Sequence, residues 1–550
     1  MISPVTEGSF SELVFGFVYP VGINADPIIS ACRNYLTQYG YDSRIHRVSE
    51  QLRTLDLDVS FDDNGPYGKR DALIKAGNKA REITKDDKIL AAKTIVDIAS
   101  LRPLDEEKRT IPVVRTAHIV RSFKRPEEVA LFRDVYRSGF YLIGVASDDD
   151  SQMGYLQDEL GIQERQAKDL IERDQNEQDL HGQRTRDTFY LSDVFIEVGN
   201  DRYKAQIARF LELVFGHPFI TPRREEHAMF LAYASAARSA QLGRQVGAAI
   251  ATPEGDVLAV GMNDVPSPRG GLYWEGDIND ARDHTKSIDS NAEQRFKIVE
   301  SIVKRLDNTA LDATKLAHLL RDTVPDMITE TDVPKLAGDI GRELNKDRER
   351  VLDESVVSEA ISSSELRQIT EYGRAVHGEM DAILTCARLG ISVRGKYLFV
   401  TTFPCHNCTR HIVASGITRV YYVEPYPKSK ARDLHSDAIC FDEKEAHETG
   451  KIPFLPFVGI GPRRYLDFFS LELSSGRQIE RKDEDHAPLN VPKESRPPRV
   501  PLIPLSFLER EDQVLTEYRE VLMRLEGKPS EDEKSDVSKI EGVESSGPAD

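Results

Sequence analysis

One imidazole, one carboxylate and two thiols define the chemistry that this sequence can carry. His377 is followed two residues later by Glu379, and Pro404 precedes Cys405 and Cys408 in a Pro-Cys-x-x-Cys run. One imidazole and two thiolates suit tetrahedral Zn²⁺ and leave a fourth position open for water. Zinc with an open position turns its water into hydroxide near neutral pH, and Glu379 can reach that water without being a ligand. The residues therefore predict a catalytic zinc site.

Each part of this set also has a less specific interpretation. An isolated Cys-x-x-Cys is more often a structural zinc clip or a redox pair, and a His before a helix is usually a cap or a surface residue. The order favours catalysis, because His-x-Glu begins an apolar-periodic helix, a strand-like run covers 397–402, and Pro-Cys-x-x-Cys opens another helix. The chain resembles zinc-dependent nucleobase deaminases in this H-x-E…P-C-x-x-C order.

Length and composition indicate the kind of protein that holds this site. At 550 residues the chain predicts two or three domains, and 39% hydrophobic residues suffice for packed cores. No apolar run is long enough to span a bilayer, and no basic segment precedes an apolar one at the N-terminus. Five cysteines make no disulfide framework. We therefore expect a cytoplasmic protein without a membrane partner. We also expect a homo-oligomer, although composition does not bear on this.

The net charge restricts the partners. A formal charge of −19 argues against a duplex or a long single strand as the main partner, because phosphate binding needs clustered Lys and Arg. A local basic pocket for one small nucleotide remains compatible with this charge.

The N-terminal part has the pattern of a nucleotide-binding α/β domain. A buried strand at 12–18 leads through a glycine-bearing turn into a helix at 26–39. Five residues separate Gly16 and Gly22, and Ile23 and Asn24 stand where a phosphate-binding loop needs Lys and Ser/Thr. We interpret Gly16 and Gly22 as a degenerate P-loop that can bind a nucleotide, as a ligand or an effector, without phosphoryl transfer.

A charged stretch at 164–187 precedes the last predicted strand of this part, at 193–198. It predicts a helical hairpin of one of two kinds. One is a lid like that of small nucleotide kinases, and the other is a solvated amphipathic helix pair.

The second part begins near residue 225. A helix is predicted at 225–241, then a β-hairpin with strands at 245–251 and 256–261, because the connecting Thr-Pro-Glu-Gly is a turn sequence. A charged, helical insertion follows at about 275–370. Beyond the zinc motif, a strand near 452–460 is expected to complete the domain. Residues 505–525 predict one amphipathic helix, and the acidic 527–550 predicts disorder.

Residues 225–460 resemble the deoxycytidylate deaminase family. Ala-Arg-Ser at 237–239 followed six residues later by Gln-Val-Gly-Ala matches that family's first helix and strand, and Gly261-Met262-Asn263 matches its Gly-Tyr-Asn. His377-Gly-Glu-Met-Asp-Ala-Ile matches its His-Ala-Glu-x-Asn-Ala-Ile, with Gly378 replacing Ala and Asp381 replacing Asn. The whole chain resembles the bacterial antiphage dCTP deaminases, which join a P-loop nucleotide-kinase-like domain to such a deaminase domain.

This resemblance implies an α/β protein of two units. It implies an N-terminal P-loop-kinase-like parallel-sheet domain at 1–220 and a cytidine-deaminase-like three-layer α/β/α domain at 221–475, with an extended segment, a helix and a tail at 476–550. The implied reaction is hydrolytic deamination of free deoxycytidine nucleotides, with dCTP or dCMP as substrate. Zinc is held by the imidazole and the two thiolates, and Glu379 moves the protons.

The resemblance also implies substrate contacts, each with an alternative. Asn263 binds the sugar, or it is a turn residue after a strand. Arg388 lies near the phosphate or effector site, or it is a surface arginine at a helix end. Lys428 meets the extra phosphates of a triphosphate, or it belongs to a solvated basic turn.

Two other functions share parts of the pattern. A tRNA- or DNA-editing deaminase uses the same chemistry, although the acidic charge and the kinase-like domain disfavour it. A nucleotide-sensing scaffold with a structural zinc would bind nucleotide and zinc without releasing ammonia.

Overall fold

The computed structural model describes most of the chain between residues 11 and 525. The described ranges are 11–52, 65–107, 110–147, 149–176, 182–198, 202–287, 372–424, 429–472, 476–482, 486–501 and 504–525, with a few isolated positions between 290 and 335. Most of the insertion predicted at 275–370, the tail predicted at 527–550, and Lys428 lie outside these ranges. Among the described residues, no helix is long and apolar enough to cross a membrane.

The first of two six-stranded sheets is built mainly from the N-terminal part. Its strands are β1 (Leu13–Val18), β2 (Asp42–Arg47), β3 (Thr116–Arg121), β4 (Phe140–Ala146), β5 (Val194–Glu197) and β12 (Gly459–Ile460). The order across the sheet is β12-β5-β4-β1-β3-β2, with β1 to β5 parallel and β12 antiparallel to β5. Every residue of β1 is buried, as its apolar run requires in a parallel sheet covered on both faces.

Helices cover both faces of the first sheet. They are α1 (Asp26–Thr37), α2 (Val48–Gln51), α3 (Gly65–Thr84), α4 (Ile89–Ser100), α5 (Pro126–Tyr136), α6 (Asp149–Gly154), α7 (Glu164–Asn176), α8 (Thr185–Phe189) and α9 (Arg202–Val214). Residues of α1 and α9 share one apolar cluster, and residues of α4 and α5 share the other. The helix pattern predicted at 164–187 is confirmed in α7 and α8.

The second sheet carries the predicted zinc residues. Its strands are β6 (Gly247–Ala251), β7 (Val257–Met262), β8 (Tyr397–Thr402), β9 (Arg419–Glu424), β10 (Ile439–Cys440) and β11 (Ile452–Pro456). Their order is β10-β11-β9-β8-β6-β7. The predicted hairpin is confirmed, because β6 pairs antiparallel with β7, whereas β8, β9, β11 and β10 run parallel. The protein is thus mixed α/β with two sheets rich in parallel strands.

The helices that follow the first unit are mostly short. They are α10 (Arg224–Ala236), α11 (Asp283–Lys286), α12 (Gly378–Arg388), α13 (His406–Ser415), α14 (Ala431–Leu434), α15 (Glu443–Thr449), α16 (Tyr465–Phe469) and α17 (Pro504–Leu525). Helix α12 lies directly against β7. A Cβ atom at Gly261 would collide with the backbone of Ala382 and Gly378 in α12. This close approach fixes α12, whose N-terminus carries the zinc motif.

The strand predicted near 452–460 is corrected. The structure breaks it after Pro456, where Phe457 donates its N–H to the carbonyl of Tyr422. Gly459 then adopts a φ of +132°, which favours glycine. The last two residues pair with β5 of the first sheet instead of the second. The chain therefore returns to the first sheet after the last strand of the second.

Candidate active site

Two helix N-termini converge at the predicted zinc residues. His377 is the N-cap of α12, and Cys405 is the N-cap of α13, both with extended backbone. Cys408 follows in the first turn of α13, and strand β8 connects the two helices. Helix N-termini carry partial positive charge, which stabilises thiolates placed there. The local fold therefore brings together three side chains that lie up to 31 residues apart.

The three donor atoms have the spacing of one tetrahedral site. The Nδ1 atom of His377 lies 3.4 Å from the Sγ atom of Cys405 and 3.4 Å from that of Cys408. All three atoms lie within 4.8 Å of one another. Bond lengths of about 2.0 Å to nitrogen and 2.3 Å to sulfur give ligand–ligand distances of roughly 3.5–3.8 Å around zinc. The donor set and its spacing therefore fit Zn²⁺ with one position left open.

Glu379 lies in the first turn of α12, beside these donors, and is only 3% exposed. Burial, followed by the charge of Cys405, raises the pKa of Glu379 to about 7. A carboxyl group with a pKa near neutrality can both accept and donate a proton in one turnover. Hydrogen bonding from Cys408 lowers the pKa of the Cys405 thiol to about 4, which favours its thiolate form.

Asn263 directly follows β7 and braces the loop before β6. Its Oδ1 atom accepts a hydrogen bond of 2.7 Å from the N–H of Val246, and its Nδ2 atom donates one of 2.8 Å to the carbonyl of Arg244. Both ends of the amide are thus engaged with the backbone. The predicted sugar contact of Asn263 remains a prediction.

Replacing Asn263 by Ala should lower kcat/KM for the expected deoxycytidine nucleotide substrate by about tenfold, because two hydrogen bonds are lost from a half-buried site. Zinc content should not change, since Asn263 does not belong to the donor set. Steady-state kinetics and metal analysis of the same preparation measure both quantities. Unchanged catalytic efficiency would contradict any contribution of Asn263 to substrate use.

The remaining predicted residues lie elsewhere. Arg388 ends α12, about 15 Å along the helix axis from Gly378, and donates a 2.8 Å hydrogen bond to Thr385. It packs beside the loop at 270–271 and remains a prediction for a phosphate or effector contact.

The two glycines of the predicted P-loop occupy different places. Gly16 lies inside β1, where a Cβ atom would approach the ring of Phe123 to 2.6 Å, so packing requires this glycine and the loop begins only after Val18. Gly22 has a φ of +89° and lines a cavity at the end of β1. Its role in nucleotide binding remains a prediction.

The two departures from the family motif are both buried. Asp381 is 4% exposed, and its carboxylate accepts a 3.3 Å hydrogen bond from the N–H of Met262 in β7. A Cβ atom at Gly378 would lie 3.0 Å from the carbonyl of Val246, which leaves little room for the alanine of the motif. Asp381 therefore helps to hold α12 against β7.

An ion pair between the loop before β6 and the end of β9 was not predicted from the sequence. Arg244 lies 2.8 Å from Glu424 at the end of β9, and Thr402 at the end of β8 donates a hydrogen bond of 3.1 Å to the same carboxylate. These contacts tie the loop before β6 to the carboxyl ends of β8 and β9. No local motif marks a pair that is 180 residues apart.

Comparison with known proteins identifies the region around these donors. Residues 346–424 match the family described as the cytidine and deoxycytidylate deaminase zinc-binding region. A deaminase zinc-binding region is present. It includes all three donors and Glu379, and it supports a cytidine or deoxycytidylate deaminase domain in the C-terminal half.

Individual relatives match over short stretches. ComE operon protein 2 of Bacillus subtilis (strain 168) is 43% identical over 53 residues, which are 10% of this chain and 28% of that protein. The deoxycytidylate deaminase of Enterobacteria phage T2 is 44% identical over 55 residues, 10% of this chain and 29% of that protein. The chain thus spans less than a third of the length of these curated relatives.

A solved structure also aligns with the chain. The dCMP deaminase from the cyanophage S-TIM5, in complex with dCMP and dUMP, covers 44% of this chain and 100% of its own, at 15% identity and a TM-score of 0.21.

Proposed function

We propose that the C-terminal unit catalyses zinc-dependent hydrolytic deamination of free deoxycytidine nucleotides, dCTP or dCMP. The observation that carries this proposal is the buried Glu379 beside a His/Cys/Cys donor set of tetrahedral spacing. The match of the same residues to a deaminase zinc-binding region supports it. Deoxycytidine nucleotides as the substrate class are supported by two phage relatives that are named deoxycytidylate deaminase.

The residues of the chain would move protons at three stages. Zinc, when bound by His377, Cys405 and Cys408, supplies an activated water. Glu379 accepts a proton from that water and passes it to N3 of the cytosine ring. After the water oxygen has added to C4, Glu379 takes the remaining proton from the C4 hydroxyl group and delivers it to the departing amine, so that a C4 carbonyl forms as the C4–N bond breaks. The products are one uracil nucleotide and one ammonia, so atoms and protons balance.

The test uses the purified full chain and one substrate at a time. We expect uracil product and ammonia from dCMP or dCTP, and none from single-stranded DNA or tRNA of equal cytosine content. Deamination confined to polynucleotide would instead establish an editing enzyme. Retained zinc and bound nucleotide without ammonia release would establish a sensing scaffold.

The wider role rests on the resemblance of the whole chain. We propose that dCTP is depleted during phage infection, in the cytoplasm, by a homo-oligomer. The N-terminal unit would bind a phosphate-bearing nucleotide as a regulatory ligand. What supports this last point is the open, basic cavity at the carboxyl ends of β1 to β3, where ligands of open α/β sheets bind.

The N-terminal unit should not hydrolyse nucleoside triphosphates. Pro20 lacks an N–H, and Ile23 and Asn24 supply neither the ammonium nor the hydroxyl of a working phosphate loop. Phosphoryl transfer depends almost entirely on such electrostatic groups, so their loss should lower the rate by several orders of magnitude. ATP and GTP turnover by the full chain should therefore stay at background. Steady hydrolysis that disappears in Gly22→Pro would contradict this expectation.

A further inference from the structure

A large cavity lies in the N-terminal unit, between the first sheet and helices α3 and α7. It has a volume of about 830 Å³ and opens at the carboxyl ends of β1, β2 and β3. The turn after β1, residues 19–26, forms its floor, and residues of α3 and Asp174 of α7 line it as well. Its volume falls within the range of small-molecule sites.

The carboxylate of Asp174 lies at the turn after β1, next to a backbone N–H and a lysine ammonium group. Asp174 accepts a 2.8 Å hydrogen bond from the N–H of Val21 and a 2.7 Å bond from the Nζ atom of Lys124. Lys124 also donates a hydrogen bond of 2.9 Å to the carbonyl of Tyr19. A turn N–H next to an ammonium is the arrangement that binds phosphate oxygens. Although it lies in a charged segment, Asp174 is only 2% exposed.

The charges around the cavity do not balance. Three cations in the lining have acidic partners there, since Arg47 pairs with Glu50, Arg81 with Glu128, and Arg121 with Asp26. The corresponding N–O distances are 3.4, 3.1 and 2.7 Å.

Lys69 and Arg70 of α3 also line the cavity. Within the described ranges neither side chain has a carboxylate partner. Arg70 donates a hydrogen bond of 3.0 Å to the carbonyl of Pro66. If Asp174 left its place, Lys124 would join them. The cavity would then present three cations to a ligand, which suits a polyphosphate.

We propose that Asp174 holds the place of a ligand phosphate, and that the cavity takes a nucleoside triphosphate by displacing this carboxylate. This inference rests on the phosphate-binding role proposed above for the N-terminal unit. It adds that the Asp174 carboxylate must give up its hydrogen bonds to Val21 and Lys124 for the ligand to enter. Helix α7 is linked to α3 by Arg173, 2.7 Å from Asp71, and by Tyr67, whose hydroxyl donates 3.2 Å to Asp169. Because Asp174 directly follows Arg173, we expect its displacement to loosen this contact between α7 and α3.

Calorimetric titration of the full chain with ATP and with inorganic tripolyphosphate tests the proposal. Asp174→Asn keeps the side-chain shape and the Val21 contact but removes the competing charge. It should bind both probes about tenfold more tightly than the wild type, because a like charge next to phosphate is costly. Glu172→Gln, on an exposed position of the same helix, is the matched control and should bind as the wild type does. Adding Lys124→Gln to Asp174→Asn should abolish the gain.

The outcomes distinguish the competition by Asp174 from the phosphate-binding role of the N-terminal unit. Equal affinity of Asp174→Asn and Glu172→Gln would overturn the competition by Asp174. Absence of binding in every variant would overturn the phosphate-binding role itself. Tight tripolyphosphate binding without ATP binding would overturn the nucleotide as ligand.

A second measurement needs no variant. Hydrogen exchange of the wild-type chain with saturating ATP should become faster in residues 164–176 and slower at the amide of Val21. Unchanged exchange in α7 at saturation would contradict the displacement.

Discussion

Replacing Glu379 by Gln should lower kcat for deamination by about 10⁴-fold while zinc stays bound, because the carboxyl group moves protons and is not a ligand. The amide keeps the size of the side chain in its buried position but cannot accept the proton of the attacking water. Kinetics with dCMP and dCTP, together with metal analysis of the same sample, measure both effects.

The same substitution at an exposed glutamate of this unit shows whether the effect depends on the position of Glu379. Glu448→Gln, on the surface of α15, should retain full activity and full zinc. Loss of zinc from Glu379→Gln would contradict the role of Glu379, since it would make this residue a ligand. Activity within tenfold of the wild type would contradict its role in proton transfer.

Replacing Cys405 by Ser should remove both the metal and the activity. A hydroxyl is a poor substitute for a thiolate on zinc, and zinc affinity is partly folding energy, so the C-terminal unit should also become less stable. Each kcal/mol lost should lower the melting temperature of a unit of this size by about 2–4 °C. Metal analysis and thermal unfolding, with and without a chelator, give the two readouts.

Cys440→Ser provides the matched control for the loss of a buried thiol. Cys440 is buried at the end of β10 and lies outside the donor set. Its variant should keep zinc and respond to the chelator as the wild type does. If the two serine variants retained equal zinc, the three-ligand site would be contradicted.

The zinc residues could be predicted from the sequence because their information is local. Helix α12 begins at the His-x-Glu motif and α13 begins at the Cys-x-x-Cys motif, so each motif lies where a helix N-terminus forms. The hairpin of β6 and β7 could be predicted for the same reason, since the Thr-Pro-Glu-Gly turn lies between two short apolar strands.

Contacts between distant parts of the chain could not be predicted. Helix α17 was expected as an amphipathic helix, yet its partner is the N-terminal unit, where Glu511 receives hydrogen bonds of 2.7 and 2.8 Å from Arg102. These residues are 409 positions apart, and no periodicity encodes that pairing. The pairing of β12 with β5 in the first sheet could not be predicted for the same reason, because these strands are far apart in the sequence.

The charged segment at 164–187 shows a second reason why parts of the structure could not be predicted from the sequence. Its sequence is equally compatible with a lid and with a solvated helix pair, because residue types do not reveal which carboxylate turns inward. In the structure Asp174 is buried against Val21 and Lys124, whereas Glu172 is exposed. Glu172 and Asp174 are only two positions apart on α7, and packing of the helix against the turn after β1 decides which of the two is buried.

The most direct test of the account is deamination in water enriched in ¹⁸O by the zinc-loaded full chain. Each molecule of dCMP or dCTP consumed should yield one ammonia and one uracil nucleotide that carries a single ¹⁸O at C4, and Glu379→Gln should yield neither. Intact cytosine nucleotide after incubation with protein of full zinc content would contradict a deoxycytidine nucleotide deaminase.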